Sequence, residues 1–109
     1  MASAPEETLA FRMVLKPGQA EAYRRRHDDI PADLLALLRD AGVRDYSIHL
    51  DPETNHLFAI LKRPADHGMD ALPQQEVMKR WWAMMADIMD TNPDASPVIT
   101  PLEPMFRMD

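Results

Sequence analysis

The hydrophobic period switches repeatedly between two and 3.6 residues along the chain, and this succession restricts the possible folds more than any single motif. Residues 8–16 alternate, with Leu9, Phe11, Met13 and Leu15 on one face of a strand and Ala10, Arg12, Val14 and Lys16 on the other. Pro17-Gly18 stops the strand. Over 19–41 the apolar residues Tyr23, Ile30, Leu34, Leu37, Leu38 and Ala41 recur at helical spacing, and Gly42 ends the helix. Pro31 lies inside that span and cannot bond to the carbonyl of His27, so a kink or break is expected there, with irregular backbone around His27. Strand-like runs at 46–50 and 57–62 flank Asp51-Pro52-Glu53-Thr54-Asn55, where Asp then Pro suits a type I turn, and together they predict a β-hairpin. Residues 64–73 are polar and broken, with room for a short helical turn. Over 74–90, Val77, Trp81, Met84 and Ile88 run beside Met78, Trp82, Met85 and Met89, which predicts a helix with a broad apolar face. Asn92-Pro93 stops it, and four prolines between 93 and 104 predict an extended tail. Residues 105–108 are expected to form a last strand, which Pro104 confines to a sheet edge.

Strand, helix, hairpin, helix, strand is the βαββαβ order of an α+β, ferredoxin-like antiparallel sheet with helices on one face. Ala10 and Val14 on the first strand, and Phe58 and Ile60 on the hairpin, leave the opposite face apolar as well. Two helices cover only one face, so a second subunit is expected on the other: a homodimer of the dimeric α/β-barrel type. The chain is expected to be one domain over 1–109, with a flexible segment at 1–7 and a Pro-rich extended tail at 93–109.

Composition narrows the function. With 12 basic and 18 acidic side chains the net charge is −6, which argues against nucleic acid or an anionic membrane as partner. A chain of 109 residues without cysteine suits a single core and has no thiol nucleophile or Cys-type zinc site. The first residues show no basic n-region or apolar h-region, and nowhere do about 18 apolar residues run together. A soluble cytoplasmic protein is expected. His27, His49, His56 and His67 show no metal-ligand spacing, so no metal is expected. GxGxxG, GxxxxGK[ST] and GxSxG are all absent, and three glycines leave little material for a phosphate cradle.

His27 interrupts the apolar stripe one helical turn after Tyr23, placing two polar rings on one inward face. It could be a core histidine satisfied by a neighbour, or an acid/base group, since imidazole alone among unperturbed side chains gives and takes a proton near neutrality. Arg24, Arg25, Arg26, Asp28 and Asp29 turn mostly away from that stripe and are expected to form a solvated charged face. Trp81 and Trp82 are adjacent, so one is expected to pack while the other lines a site. Indole faces stack on the C–H faces of pyranose rings, though both could equally serve core or interface packing. Tyr46, at the start of the hairpin, could meet Tyr23 across the sheet or be a core tyrosine.

The runs Tyr23-Arg24-Arg25-Arg26-His27, Asp45-Tyr46-Ser47-Ile48-His49-Leu50-Asp51, Arg80-Trp81-Trp82-Ala83-Met84-Met85 and Thr91-Asn92-Pro93-Asp94-Ala95-Ser96-Pro97-Val98 resemble the L-rhamnose mutarotase family over nearly the whole chain. The resemblance implies a small dimeric ferredoxin-like enzyme that interconverts the α and β anomers of L-rhamnose without a cofactor. It places the catalytic histidine at His27 and the sugar-contacting aromatics at Tyr23, Tyr46, Trp81 and Trp82. One stretch departs: where the family commonly has Ile-Trp-Pro-Glu, this chain reads Ile30-Pro31-Ala32-Asp33. The alternatives on the same architecture are a small dimeric monooxygenase-like enzyme and a non-catalytic sugar-binding module.

Overall fold

A computed structural model describes residues 5–108. The strands β1 (Glu6–Val14), β2 (Arg44–Asp51), β3 (His56–Pro64) and β4 (Thr100–Pro101) form one antiparallel sheet in the order β2-β3-β1-β4. The helices are α1 (Ala20–Asp28), α2 (Ala32–Asp40) and α3 (Glu76–Met85). A 3₁₀ segment, Met69–Gln74, precedes α3 and another, Ala86–Ile88, continues from it. This is the ferredoxin-like α+β arrangement that the alternating periods predict.

The pairing register explains which apolar residues form the core. Met13 lies opposite Leu57, Phe11 opposite Ala59 and Leu9 opposite Leu61, while Ile48 and Leu50 pair with Ala59 and Leu57. All eight side chains share one sheet face. Against it pack Tyr23 from α1 and Met85, Ile88 and Met89 from α3 and the turn beyond it. A second cluster joins Leu34 and Ala41 of the α2 region to Leu72 and Met78, and Trp81 touches both clusters. The opposite face presents Ala10, Arg12, Val14, Phe58 and Ile60, and Ile60 is 41% exposed.

Several boundaries differ from the periodicity. β1 starts at Glu6 and is tied to β3 through Glu7, whose carboxylate accepts from Arg63 Nε at 2.8 Å. Of the segment expected to be flexible over 1–7, Glu6 and Glu7 pair with Pro64 and Arg63 in the sheet, and residues 1–4 lie outside the described residues. The helix expected over 19–41 is broken in two, with Pro31 at φ −60° and ψ 139° immediately before α2. His27 itself is regular: it sits in the last turn of α1, and the irregularity begins two residues later. Its carbonyl, denied a donor by Pro31, accepts from the Ile30 N–H at 3.2 Å. Gly42 ends the helical region at φ 100°, and a Cβ there would lie 2.9 Å from Pro64 Cδ.

The last strand is not at 105–108. It is the two-residue β4, opposite Phe11 and Arg12, extended by a bond from the Leu102 N–H to the Ala10 carbonyl. Met105, Phe106 and Met108 lie beyond the sheet and are more than four-fifths exposed. A strand this short carries no period, and Pro101 within it has no N–H to donate, which restricts it to the edge.

Candidate active site

The helices do not close completely on the sheet, and between the two layers lies a cavity of about 910 Å³. Tyr23, His27, Tyr46, Trp81 and Trp82 all line it. Four segments far apart in sequence thus converge on one space: α1, β2, α3 and the Asn92–Pro97 loop, which contributes Asn92, Ser96 and Pro97. That loop is held by its own bonds, Asn92 Nδ2 donating to Ser96 Oγ at 3.1 Å and the Ser96 N–H to Asp94 Oδ1 at 3.0 Å. The walls are predominantly apolar, with a few polar groups among them, which is the usual make-up of a small-molecule site.

Tyr23 and His27 stack one turn apart on α1, with ring centroids 4.3 Å apart and planes tilted by 30°. His27 Nδ1 lies 2.9 Å from the Tyr23 carbonyl oxygen. A carbonyl can only accept, so the contact assigns the ring proton to Nδ1 and leaves Nε2 as the basic nitrogen. Burial lowers the His27 pKa, outweighing the opposite effects of the Tyr23 carbonyl and the Asp28 charge. The imidazole is therefore neutral at pH 7, with its lone pair on Nε2. Trp81 stands edge-on to it, at 5.1 Å between centroids and 90° between planes.

The two phenols are held protonated. Burial, and then the proximity of Tyr46, raises the Tyr23 pKa far above its usual value, while burial raises that of Tyr46 to about 12. Tyr46 lines the cavity with 40% of its surface open. Both hydroxyls can donate to an oxygen-rich ligand, and neither is a base near neutrality.

Tyr46 sits in a β-bulge that the alternating pattern does not reveal. Arg44 pairs with Lys62 and Ser47 with Ile60, so Asp45 and Tyr46 together oppose Leu61, a residue of the inner face. Asp45 makes the bulge by adopting φ 49°, and its carboxylate lies 3.5 Å from Lys62 Nζ. The charged run before His27 also differs from expectation. Arg24 lines the cavity and Arg25 pairs outward with Glu21, whereas Arg26 crosses to the end of α3. There it bonds the Met84 carbonyl and both carboxylate oxygens of Asp87. Only the separation of Arg26 from Asp87 in sequence hid this contact, since each is an ordinary surface residue in its own helix. The other histidines are elsewhere: His49 contacts Ser47 Oγ, His56 lies edge-on to Phe58, and His67 Nδ1 accepts from the Met69 N–H. Among the described residues no group of three His, Asp or Glu side chains is disposed to hold a metal ion, and no helix is long and apolar enough to cross a membrane.

Residues 8–108 match the family model described as L-rhamnose mutarotase. A protein from Paraburkholderia phytofirmans described as an L-rhamnose mutarotase is 58% identical over 103 residues, covering 94% of this chain and 96% of that one. The crystal structure of an L-rhamnose mutarotase from Formosa agariphila superposes with a TM-score of 0.87 at 50% identity, covering 94% of this chain and 99% of the other. A putative antibiotic biosynthesis monooxygenase from Chloroflexus aurantiacus, at 14% identity and a TM-score of 0.52, covers 96% of this chain and 98% of its own, and shares the fold alone. The match spans nearly the whole chain, includes the runs around His27, Tyr46 and Trp81-Trp82, and extends to the three-dimensional structure: the chain belongs to the L-rhamnose mutarotase family.

Proposed function

We propose that this chain interconverts the α and β anomers of L-rhamnose by acid/base-assisted ring opening and closure, with His27 as the proton-transfer group. The observation that carries the reading is the His27 ring, whose Nδ1 is committed to the Tyr23 carbonyl and whose Nε2 is left basic inside an aromatic cavity. Nε2 takes the proton of the anomeric hydroxyl as the bond from C1 to the ring oxygen breaks and the aldehyde forms. The ring oxygen gains a proton from the surrounding donors or a bound water. The aldehyde then rotates about the C1–C2 bond, and on closure the former ring oxygen attacks the other face of C1 and gives its proton back to the group that supplied it, while the aldehyde oxygen takes the proton from the imidazolium. Atoms and charge balance without an oxidant, a reductant or a cofactor. Positioned proton transfer of this kind contributes about 10²–10⁴-fold.

The other side chains fit binding. Tyr23 and Tyr46, both protonated, donate to sugar hydroxyls. Trp81 and Trp82 supply flat apolar surface for the pyranose ring and its 6-methyl group. We further propose that the protein acts in the cytoplasm as a homodimer joined through the outer sheet face. Support for this comes from the exposed Ile60 and from Arg12 Nε, which is buried on that face without a hydrogen-bond partner among the described residues.

The test is proton NMR saturation transfer between the anomeric resonances of L-rhamnose at neutral pH. Faster exchange with the protein than in buffer is the expected result. Binding of the sugar without faster exchange would instead identify a sugar-binding module.

A further inference from the structure

The mechanism above uses side chains on α1, β2 and α3 and leaves out the contact that ties α1 to α3. Arg26 Nη1 donates to the Met84 carbonyl at 2.8 Å and to Asp87 Oδ1 at 2.7 Å, while Nη2 donates to Asp87 Oδ2 at 3.2 Å. We infer that Arg26 and Asp87 form a positioning clasp for anomer exchange, fixing how His27 and Trp81, in edge-to-face contact, stand together in the cavity wall where the sugar reacts. This inference rests on the mutarotase reading.

The geometry carries it in three steps. First, α1 has nine residues and no side-chain cap at its N-terminus, and Pro31 prevents it from continuing into α2. A helix this short depends on tertiary contacts to stay formed, and its last turn is where it frays. His27 is in that turn, immediately after Arg26. Second, Met84 and Asp87 follow Trp81 by about one and two turns, so the guanidinium holds the end of the element that carries both indoles. Third, a fork gripping two carboxylate oxygens and a carbonyl fixes orientation as well as distance, which a single point charge does not.

Magnitudes separate this role from simple stabilisation. Asp87 is 66% exposed and Arg26 28%, and ion pairs so open to water contribute little to folding. Displacing a catalytic group by about 1 Å can cost up to about 10²-fold in rate. Loss of the clasp should therefore leave the protein folded and slow its chemistry. It should also let water reach His27, whose other titratable and charged neighbours around the cavity are Arg24, Asp28 and Tyr23 from α1 and Tyr46 from β2, with α3 supplying none.

The experiment compares the full-length wild type with Arg26→Met, Arg26→Lys and Asp87→Asn. It measures saturation-transfer kinetics over a range of rhamnose concentrations and pH, alongside NMR titration of the His27 ring. Arg26→Met should lower kcat by about tenfold or more with a smaller change in KM, and its His27 pKa should rise towards 6.5. Asp87→Asn should be milder because the Met84 bond remains, and Arg26→Lys should recover part of the loss. Wild-type kcat and an unchanged His27 titration in Arg26→Met would overturn the inference, even if thermal stability fell. Should Arg26→Met fail to fold, the same two readouts in Arg26→Lys and Asp87→Asn decide. A wild type that does not accelerate exchange refutes the functional reading instead, and the His27 titration still tests the clasp.

Discussion

His27 and Tyr23 are joined twice: their rings stack at 4.3 Å, and the imidazole Nδ1–H donates to the Tyr23 carbonyl at 2.9 Å. The second contact matters more for chemistry. It turns a group that could be protonated on either nitrogen into one with a defined basic atom, using the backbone of its own helix and no partner carboxylate. Asp28, adjacent in sequence, acts on His27 only as a nearby charge.

Replacing His27 by Ala should lower the exchange rate by about 10²–10⁴-fold while leaving the circular dichroism spectrum unchanged. The residue is only half-buried in the last turn of α1, so the fold does not depend on it. Saturation transfer with L-rhamnose reads the rate directly. Wild-type exchange in this variant would remove His27 from the chemistry.

The pH dependence has a definite sign. Burial holds the His27 pKa below 6.5, so the neutral, basic form persists into mildly acidic solution and the exchange rate should fall with a midpoint below 6.5. Stability follows the same group. Between the lowered folded pKa and 6.5 the unfolded chain binds a proton that the folded chain does not, so His27 makes stability fall as pH drops through that window. NMR titration of the ring gives the midpoint, and one at or above 6.5 would contradict the burial argument.

How much of this was legible in the sequence differs element by element. Alternation and helical spacing are local properties, so the strand–helix–hairpin–helix order, the break at Pro31 and the Tyr23–His27 pairing could be read directly. The Arg26 clasp could not, because Asp87 is 61 positions away and only the packing of α1 against the end of α3 brings them together. β4 was invisible because two residues have no period, which left the apolar 105–108 stretch as the apparent strand. The bulge was hidden by arithmetic: one extra residue in β2 leaves Tyr46 on the inner face, where uninterrupted alternation would also put it.

The two tryptophans should separate in their effects. Trp81 packs on both core clusters, whereas Trp82 packs on one. Trp81→Ala should therefore lose about 2–4 kcal/mol of stability in a urea titration along with activity. Trp82→Ala should raise KM for L-rhamnose by about tenfold, equivalent to about 1.4 kcal/mol, with a smaller loss of stability. Equal destabilisation by both, with KM unchanged, would assign the indoles to packing alone.

Ile60→Glu tests the homodimer. The substitution places a charge on the outer sheet face, close to Phe58 and Arg12 and away from the cavity. If a second copy covers that face, taking a carboxylate out of water there should weaken association by about 10²-fold or more. Sedimentation velocity should then show a shift from dimer to monomer over a micromolar dilution series. A wild type that sediments as a monomer would refute the dimer outright.

Asp45 decides whether Tyr46 keeps its place. Its φ of 49° is tolerated by Asp and free for Gly, but it costs a β-branched residue about 1–3 kcal/mol of strain. Relieving that strain means straightening β2, which keeps Tyr46 opposite Leu61 on the inner face but moves its backbone out of the bulge and so displaces its hydroxyl within the cavity wall. Asp45→Gly loses only the exposed contact with Lys62 and should keep KM within about twofold of wild type. Asp45→Val should raise KM by about tenfold or more, because the displaced Tyr46 hydroxyl no longer meets the sugar. The comparison is informative because both variants remove the same carboxylate: if Gly and Val behave alike under saturation transfer, the charge and not the backbone conformation is what Tyr46 requires.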